Sequence, residues 1–416
     1  MDQRTGMPEV GMVGGGQLAR MTHQAAIALG QSLRVLSVTA DESAALVTPN
    51  VQLGEHTDIE ALRTFAATCD VVTFDHEHVP TEHIRTLVAE GHTVYPGADA
   101  LQFAQDKGLM RQRLSELGLP VPAFDLLTAA EPEKVTAFAG THGWPIVLKT
   151  CRGGYDGRGV WVLRDQEQAT AVLAELVDSG DLLLETLVPL TRELAAVVAR
   201  SPFGQAAGWP VVETVQRDGI CVEVVAPAQD LPADRANAAG ALALRLADEL
   251  GVVGVMAVEL FEVEPSAAYP DGLIVNELAM RPHNSGHWTM DGSVTSQFEQ
   301  HLRAVLDYPL GRTDAVHPVT VMANIIGGSP DSPGAGIGMD ERVHHLAARF
   351  PEAKVHLYGK GFRPGRKLGH VNVGGSDVEL TRRIAGLAGT WLNDGVWADG
   401  YSIHDGETAA TTGRQR

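Results

Sequence analysis

Cysteine is scarce in this sequence: Cys69, Cys151 and Cys221 are scattered through 416 residues and form no CxxC pair. That argues against a disulfide framework or a cysteine zinc site and fits a reducing, cytoplasmic setting. Cations are in deficit too, with 32 Lys and Arg against 52 Asp and Glu, a net charge of −20. A field of that sign repels nucleic acid, so no nucleic-acid partner is expected. No run approaches the 18 or more apolar residues of a membrane span, and no membrane association is expected. The opening MDQRTGMPEV has no basic segment followed by an apolar stretch, so no signal peptide is expected. What remains, 44% apolar and 20% charged residues, is the balance of a soluble globular protein with two or three domains.

The fold class expected is α/β and α+β multidomain. Residues 1–110 alternate short apolar strands (8–13, 33–38, 71–74, 93–95) with helical patterns, which implies a parallel sheet with helices on both faces. A second block, 111–325, mixes strands at 144–149, 160–163, 181–186, 191–200, 211–225, 252–262 and 272–278 with helices at 167–178, 234–250 and 293–306. Residues 327–338 (GGSPDSPGAGIG) read as an exposed linker. A small last block covers 340–403, and 404–416 read as a disordered tail.

Six patterns carry chemistry. Gly14-x-Gly16-x-x-Ala19 follows a strand and opens a helix, a turn able to face a phosphate. It suits a dinucleotide, with Asp41 as the ribose acid, or a sugar phosphate, or a turn with no ligand. Lys149 ends a strand and precedes Gly153-Gly154-Tyr155-Asp156-Gly157-Arg158-Gly159, a glycine-rich cover between two strands rather than a Walker loop. Such a loop can close over a polyphosphate while the lysine pairs with its charge. The strand Leu182 to Val188 carries Glu185, with Glu193 beyond it, a pattern suited to an adenine pocket and a ribose. Glu259 and Glu277 end apolar strands. A buried strand rarely ends in an unpaired acid, and two hard oxygen ligands can seat Mg²⁺ under a triphosphate. Asn276 to Thr289 (NELAMRPHNSGHWT) crowds Arg281, His283, Asn284, Ser285 and His287 just after that acid. Lys360, Arg363, Arg366 and Lys367 form a local cationic turn fit for a phosphate.

Taken in order, these motifs resemble the 5-(carboxyamino)imidazole ribonucleotide synthase family of the ATP-grasp superfamily, over roughly residues 8–403. GGYDGRG and HNSGHWT are the specific matches. The resemblance implies a pre-ATP-grasp domain, an ATP-grasp domain and a small C-terminal domain, usually in a homodimer. It implies that bicarbonate and ATP carboxylate aminoimidazole ribonucleotide through carboxyphosphate, in purine biosynthesis, with a functional link to the mutase that uses the product. ATP would meet Lys107, Lys149, Gly154 to Gly159, Glu185, Thr186, Leu187, Val188, Glu193, Gln216, Asn276 and Glu277. Glu259 and Glu277 would hold Mg²⁺ or Mn²⁺. The ribonucleotide would lie near Gln17, Asp75, Glu77, Tyr155, Asp156, Arg281, Asn284, Lys360, Arg363, Arg366 and Lys367. Catalysis would fall to Arg281, His283, Asn284 and Lys149. The chain departs from the family pattern at Lys107 and Arg111 (usually Arg then Lys), at Gln216 (usually His) and at Asp75 (usually Glu). A nicotinamide oxidoreductase built on the first turn, or a non-catalytic nucleotide sensor, would leave Glu259, Glu277 and the 283–289 run without a catalytic role.

Overall fold

A computed structural model describes residues 1–128, 130–154 and 157–402. Near the N-terminus four strands form a parallel sheet in the order Asn50–Leu53, Ser32–Ser37, Glu9–Val13, Val71–Phe74. The two central strands are apolar because helices cover the sheet. Residues 93–95, expected as a strand, contribute only a single parallel bridge, Val72 to Val94.

The helix Lys107–Glu116 leads out of this unit. Asp106 caps it by accepting from Leu109 N–H at 3.0 Å, and Gly118, at φ +64°, turns the chain after it. A four-stranded antiparallel sheet follows, ordered Phe124–Leu127, Leu182–Thr186, Ile146–Thr150, Val160–Leu163. Facing it is a larger sheet of nine strands among the described residues. Its central path runs Leu273–Ala279, Gly254–Glu262, Arg192–Arg200, Val212–Arg217, Ile220–Ala226. Residues 211–225, expected as one strand, are therefore a hairpin turned at Asp218 and Gly219, both with positive φ.

That sheet does not stop there. Val319–Ile326 pairs with Ile220–Ala226, and Lys367–Gly375 and Lys354–Leu357 extend it further. The strands after residue 319 thus continue the central sheet. The stretch 327–338, expected as an exposed linker, is largely exposed and is anchored at a few points. Gly327 N–H donates to Arg366 O, Ser332 Oγ to Asp394 O, and buried Arg342 to Gly334 O, at 2.7–2.8 Å.

The N-terminal sheet is locked to the large one by His301, fully buried on the helix Gln297–Val305. Its Nε2 meets Thr73 Oγ1 at 2.8 Å and its Nδ1 accepts from Val255 N–H at 3.1 Å. No helix among the described residues is long and apolar enough to cross a membrane.

Candidate active site

One cleft of about 1200 Å³ lies where the three sheets meet, and residues of every block line it. Its floor is the edge of the large sheet. Glu259 and Glu277 are cross-strand partners in register, so their side chains share one face. Burial, then the charges of Glu277 and Glu193, raise the pKa of Glu259 well above the carboxylate range. Lys107 Nζ donates to Glu277 Oε1 at 2.7 Å, and His283 Nε2 lies 3.3 Å from Glu259 Oε1. Two close carboxylates, one of them resisting ionisation, are a donor set that fits a divalent oxygen-binding cation. Among the described residues no third His, Cys, Asp or Glu completes a cage, so phosphate oxygens or water would fill the remaining shell.

The opposite wall is the four-stranded sheet. Lys149 Nζ sits 2.6 Å from Glu185 Oε2 and 3.3 Å from Asn276 Oδ1. Glu185 is buried, and its other oxygen meets Arg111 at 2.5 Å. Burial pushes the Glu185 carboxyl up, but Lys149 and Arg111 together hold it below its ordinary value. Both of its oxygens are engaged by cations, so the parts of this strand end open to a ligand are Thr186, Leu187 and Val188, which line the cleft. On the large sheet, Glu193 bonds to Gln216 of the neighbouring strand, and burial raises its pKa.

Gly153, Gly154 and Gly157 roof the cleft. Gly157 takes φ +76°, and a Cβ there would come within 3.1 Å of Gly219 Cα, so the loop already touches the hairpin turn of the facing sheet. Gly159 O accepts from Thr150 N–H at 2.9 Å, and Arg158 is exposed. Tyr155 and Asp156 lie outside the described residues.

On the N-terminal side Gln17, Asp75 and Glu77 line the cleft. Arg281 Nε reaches Glu77 Oε1 at 2.8 Å, and Lys360 Nζ donates to Gln17 Oε1. Although burial works against its charge, Glu77 raises the Arg281 pKa. Lys367 lines the cleft, while Arg363 and Arg366 stand on the turn outside the lining. All three cations nonetheless join burial in lowering the pKa of Lys360, so the basic cluster is one electrostatic unit.

The first glycine turn is held from within the chain. Asp75 Oδ2 accepts from Gly16 N–H at 2.7 Å and Oδ1 from Ala19 N–H at 2.8 Å. Of the readings open for this turn, the phosphate-facing ones lose ground, because the helix N-terminus is already capped by this chain's own anion. A Cβ at Gly16 would lie 2.1 Å from Asp75 Oδ2, so glycine is required there. Asp41 is exposed and bonded to Thr39. The dinucleotide reading loses its phosphate site.

Asp75 also gives a pH prediction. Burial pushes its pKa up to about 6, against the Ala19 and Gly16 donors and the nearby cations. With a folded value above the unfolded value of about 3.9, the native state holds this proton more tightly. Its contribution to stability is full below about pH 4 and is lost as pH rises to about 6. The stability advantage of the wild type over Asp75→Asn should therefore shrink across that window by on the order of 2 kcal/mol, read by urea unfolding at stepped pH. A difference that stays flat would contradict it.

Two facing sheets closing on a cleft, with a strand lysine and glycine loop above and paired acids below, define an ATP-grasp ligase. Family models agree along the chain: the ribonucleotide synthetase preATP-grasp domain at 7–105, the ATP-grasp domain at 112–298 and the phosphoribosylaminoimidazole carboxylase C-terminal domain at 320–383. The N5-carboxyaminoimidazole ribonucleotide synthase of Mycobacterium tuberculosis is 61% identical over 398 residues, covering 95% of this chain and 90% of its own. That of Corynebacterium ammoniagenes is 48% identical, covering 95% of each. A solved structure of the Aspergillus clavatus synthase with ADP and 5-aminoimidazole ribonucleotide superposes with a TM-score of 0.83 at 30% identity, over 94% of this chain and 99% of that one. The chain belongs to the N5-carboxyaminoimidazole ribonucleotide synthase family.

Two residues of the site escaped assignment from sequence. Arg111 was seen only as a departure in a cation pair, although its place one helical turn after Lys107 puts it on the same face. Gln297 gave no signal, because it lies outside every motif.

Proposed function

We propose that this protein carboxylates the exocyclic amine of 5-aminoimidazole ribonucleotide with bicarbonate, converting ATP to ADP and phosphate. The single observation that supports this best is the cleft itself: the pair of floor acids and Lys149 flank the same space as Arg281, His283 and Asn284. ATP would lie with its base against Thr186 to Val188, its ribose hydroxyls on Glu193, and its phosphates under the 153–159 loop beside Lys107, Lys149, Gln216 and Asn276. Mg²⁺ or Mn²⁺ on Glu259 and Glu277 would supply charge neutralisation for the phosphates when bound.

A bicarbonate oxygen attacks the γ-phosphorus, the bond to the β-phosphate oxygen breaks, and ADP leaves. Lys149 balances charge on the transferring group. Arg281 and the 283–287 run hold the carboxyphosphate so formed. The amine of the ribonucleotide attacks its carbonyl carbon, the bond to the phosphate oxygen breaks, phosphate leaves and the amine loses a proton. His283 suits this wall because it is neutral: burial, then Arg281 and Lys367, lower its pKa to about 3. The ribonucleotide would rest on Gln17, Asp75 and Glu77, with its phosphate toward Lys360, Arg363, Arg366 and Lys367. A closed glycine loop keeps water from the labile intermediate. A cytoplasmic homodimer supplying a mutase with its product completes the proposal.

The test is ADP release with each substrate left out in turn. Full turnover should need bicarbonate and ribonucleotide together. Equal ADP release without bicarbonate would contradict the reading.

A further inference from the structure

Gln297 begins the helix Gln297–Val305 and is fully buried. Its backbone N–H donates to Thr289 Oγ1 at 2.9 Å, and Thr289 donates to Gly286 O at 2.6 Å. Its side chain is held on both sides by the backbone of His283. Oε1 accepts from His283 N–H at 2.8 Å, and Nε2 donates to His283 O at 2.8 Å. A backbone N–H can only donate and a carbonyl can only accept, so the amide has one possible orientation. Glycine at 286 leaves room for the amide, since a Cβ there would lie 2.3 Å from Gln297 Oε1.

The same Nε2 group lies 2.9 Å from His287 Nδ1. Facing an NH₂ donor, Nδ1 must accept. A neutral imidazole has one proton, so His287 carries it on Nε2. The ring is kept neutral by burial first, and the nearby cations Lys367 and Arg281 lower its pKa further. His287 lines the cleft beside Asn284, whose Nδ2 is buried and without a partner among the described residues.

We propose that Gln297 is a positioning residue that fixes His287 as an Nε2–H donor, so that His287 joins Arg281 and Asn284 in binding the bicarbonate-derived anion. This rests on the reading of the 281–287 wall given above. A donor pre-set in this way needs no reorganisation when negative charge arrives. The opposite tautomer would present a lone pair to that charge.

The test uses the full-length protein labelled with ¹⁵N-histidine, with the His287 signals assigned by loss in His287→Gln. Long-range ¹⁵N–¹H spectra of the wild type should show His287 protonated on Nε2. Gln297→Glu keeps the shape but sets an oxygen against Nδ1. It should move protonation onto Nδ1 and raise the bicarbonate KM at least roughly tenfold, with the ATP KM within about twofold. A wild-type signal for the Nδ1–H form would overturn the proposal, even if Gln297→Glu fails to fold. So would a folded Gln297→Glu that shifts both KM values alike, the mark of a merely structural role. Absence of bicarbonate-dependent ADP release in the wild type would instead sink the functional reading, and the spectrum would still decide the tautomer.

Discussion

Glu277→Gln is expected to lower ADP release by roughly 10²–10³-fold while the protein stays folded. Glu277 is 40% exposed within the cleft, and its ionic partner is Lys107, itself at the cleft wall. A pair of this kind contributes little to stability, so a neutral isostere there should cost under about 1 kcal/mol. Its cost to function is different in kind. Glu277 and Glu259 stand opposite each other on neighbouring strands, and the charge of Glu277 is one reason Glu259 resists ionisation. Placing two like charges together is unfavourable unless something positive belongs between them. An amide oxygen offers that cation a dipole in place of a charge. The discriminating readout is the melting temperature with ATP, with and without Mg²⁺. The wild type should gain stability from the pair of ligands, and Glu277→Gln should lose most of the magnesium-dependent part. An unchanged magnesium-dependent shift would remove these two acids as metal ligands.

How much of this was legible beforehand follows from where the signals lie. The strand–glycine loop–strand at 146–163 and the two apolar strands that carry Glu259 and Glu277 were readable from period and composition, but both acids lie inside their strands, Gly254–Glu262 and Leu273–Ala279, and not at the ends as expected. The alternating strands and helices of the first hundred residues were readable from period and composition too. The continuation of the large sheet through Val319–Ile326 was not. A strand's partner is set by long-range register, and no local pattern in the Gly- and Pro-rich 327–338 stretch, which reads as an exposed linker, reports that Gly327 N–H bonds Arg366 O and Ser332 Oγ bonds Asp394 O. Asp75 lines the cleft, but its bonds to Gly16 and Ala19 span 59 and 56 residues, and no local pattern reports such a contact. Gln297 acts the same way from 14 residues beyond His283. Groups that bind ligands tend to sit in dense local motifs, whereas those that hold them in place come from elsewhere in the chain.

Arg111 is the clearest case of such support, and Arg111→Met is expected to destabilise the protein by ~3–5 kcal/mol. The guanidinium is fully buried and ties three elements together. From the helix Lys107–Glu116 it donates to the carbonyls of Val275 and Asn276, each at 2.9 Å, and pairs with Glu185 at 2.5 Å. Val275 and Asn276 belong to the strand that carries Glu277, and Glu185 to the strand facing it across the cleft. Methionine fills much of the volume but leaves two carbonyls unsatisfied and half of Glu185 without its cation. Urea unfolding should show the loss. A double-mutant cycle separates its parts: Glu185→Gln in the Arg111→Met background should cost less than in the wild type, by roughly 1–3 kcal/mol. Strict additivity would mean that the pair is not coupled. Arg111→Lys should recover only part of the stability, because one ammonium cannot reproduce the planar fork that reaches a carboxylate and two carbonyls at once. Lysine at 107 and arginine at 111 are therefore not interchangeable: a single charge suffices at the cleft wall, and a rigid five-donor group is needed in the seam between the sheets.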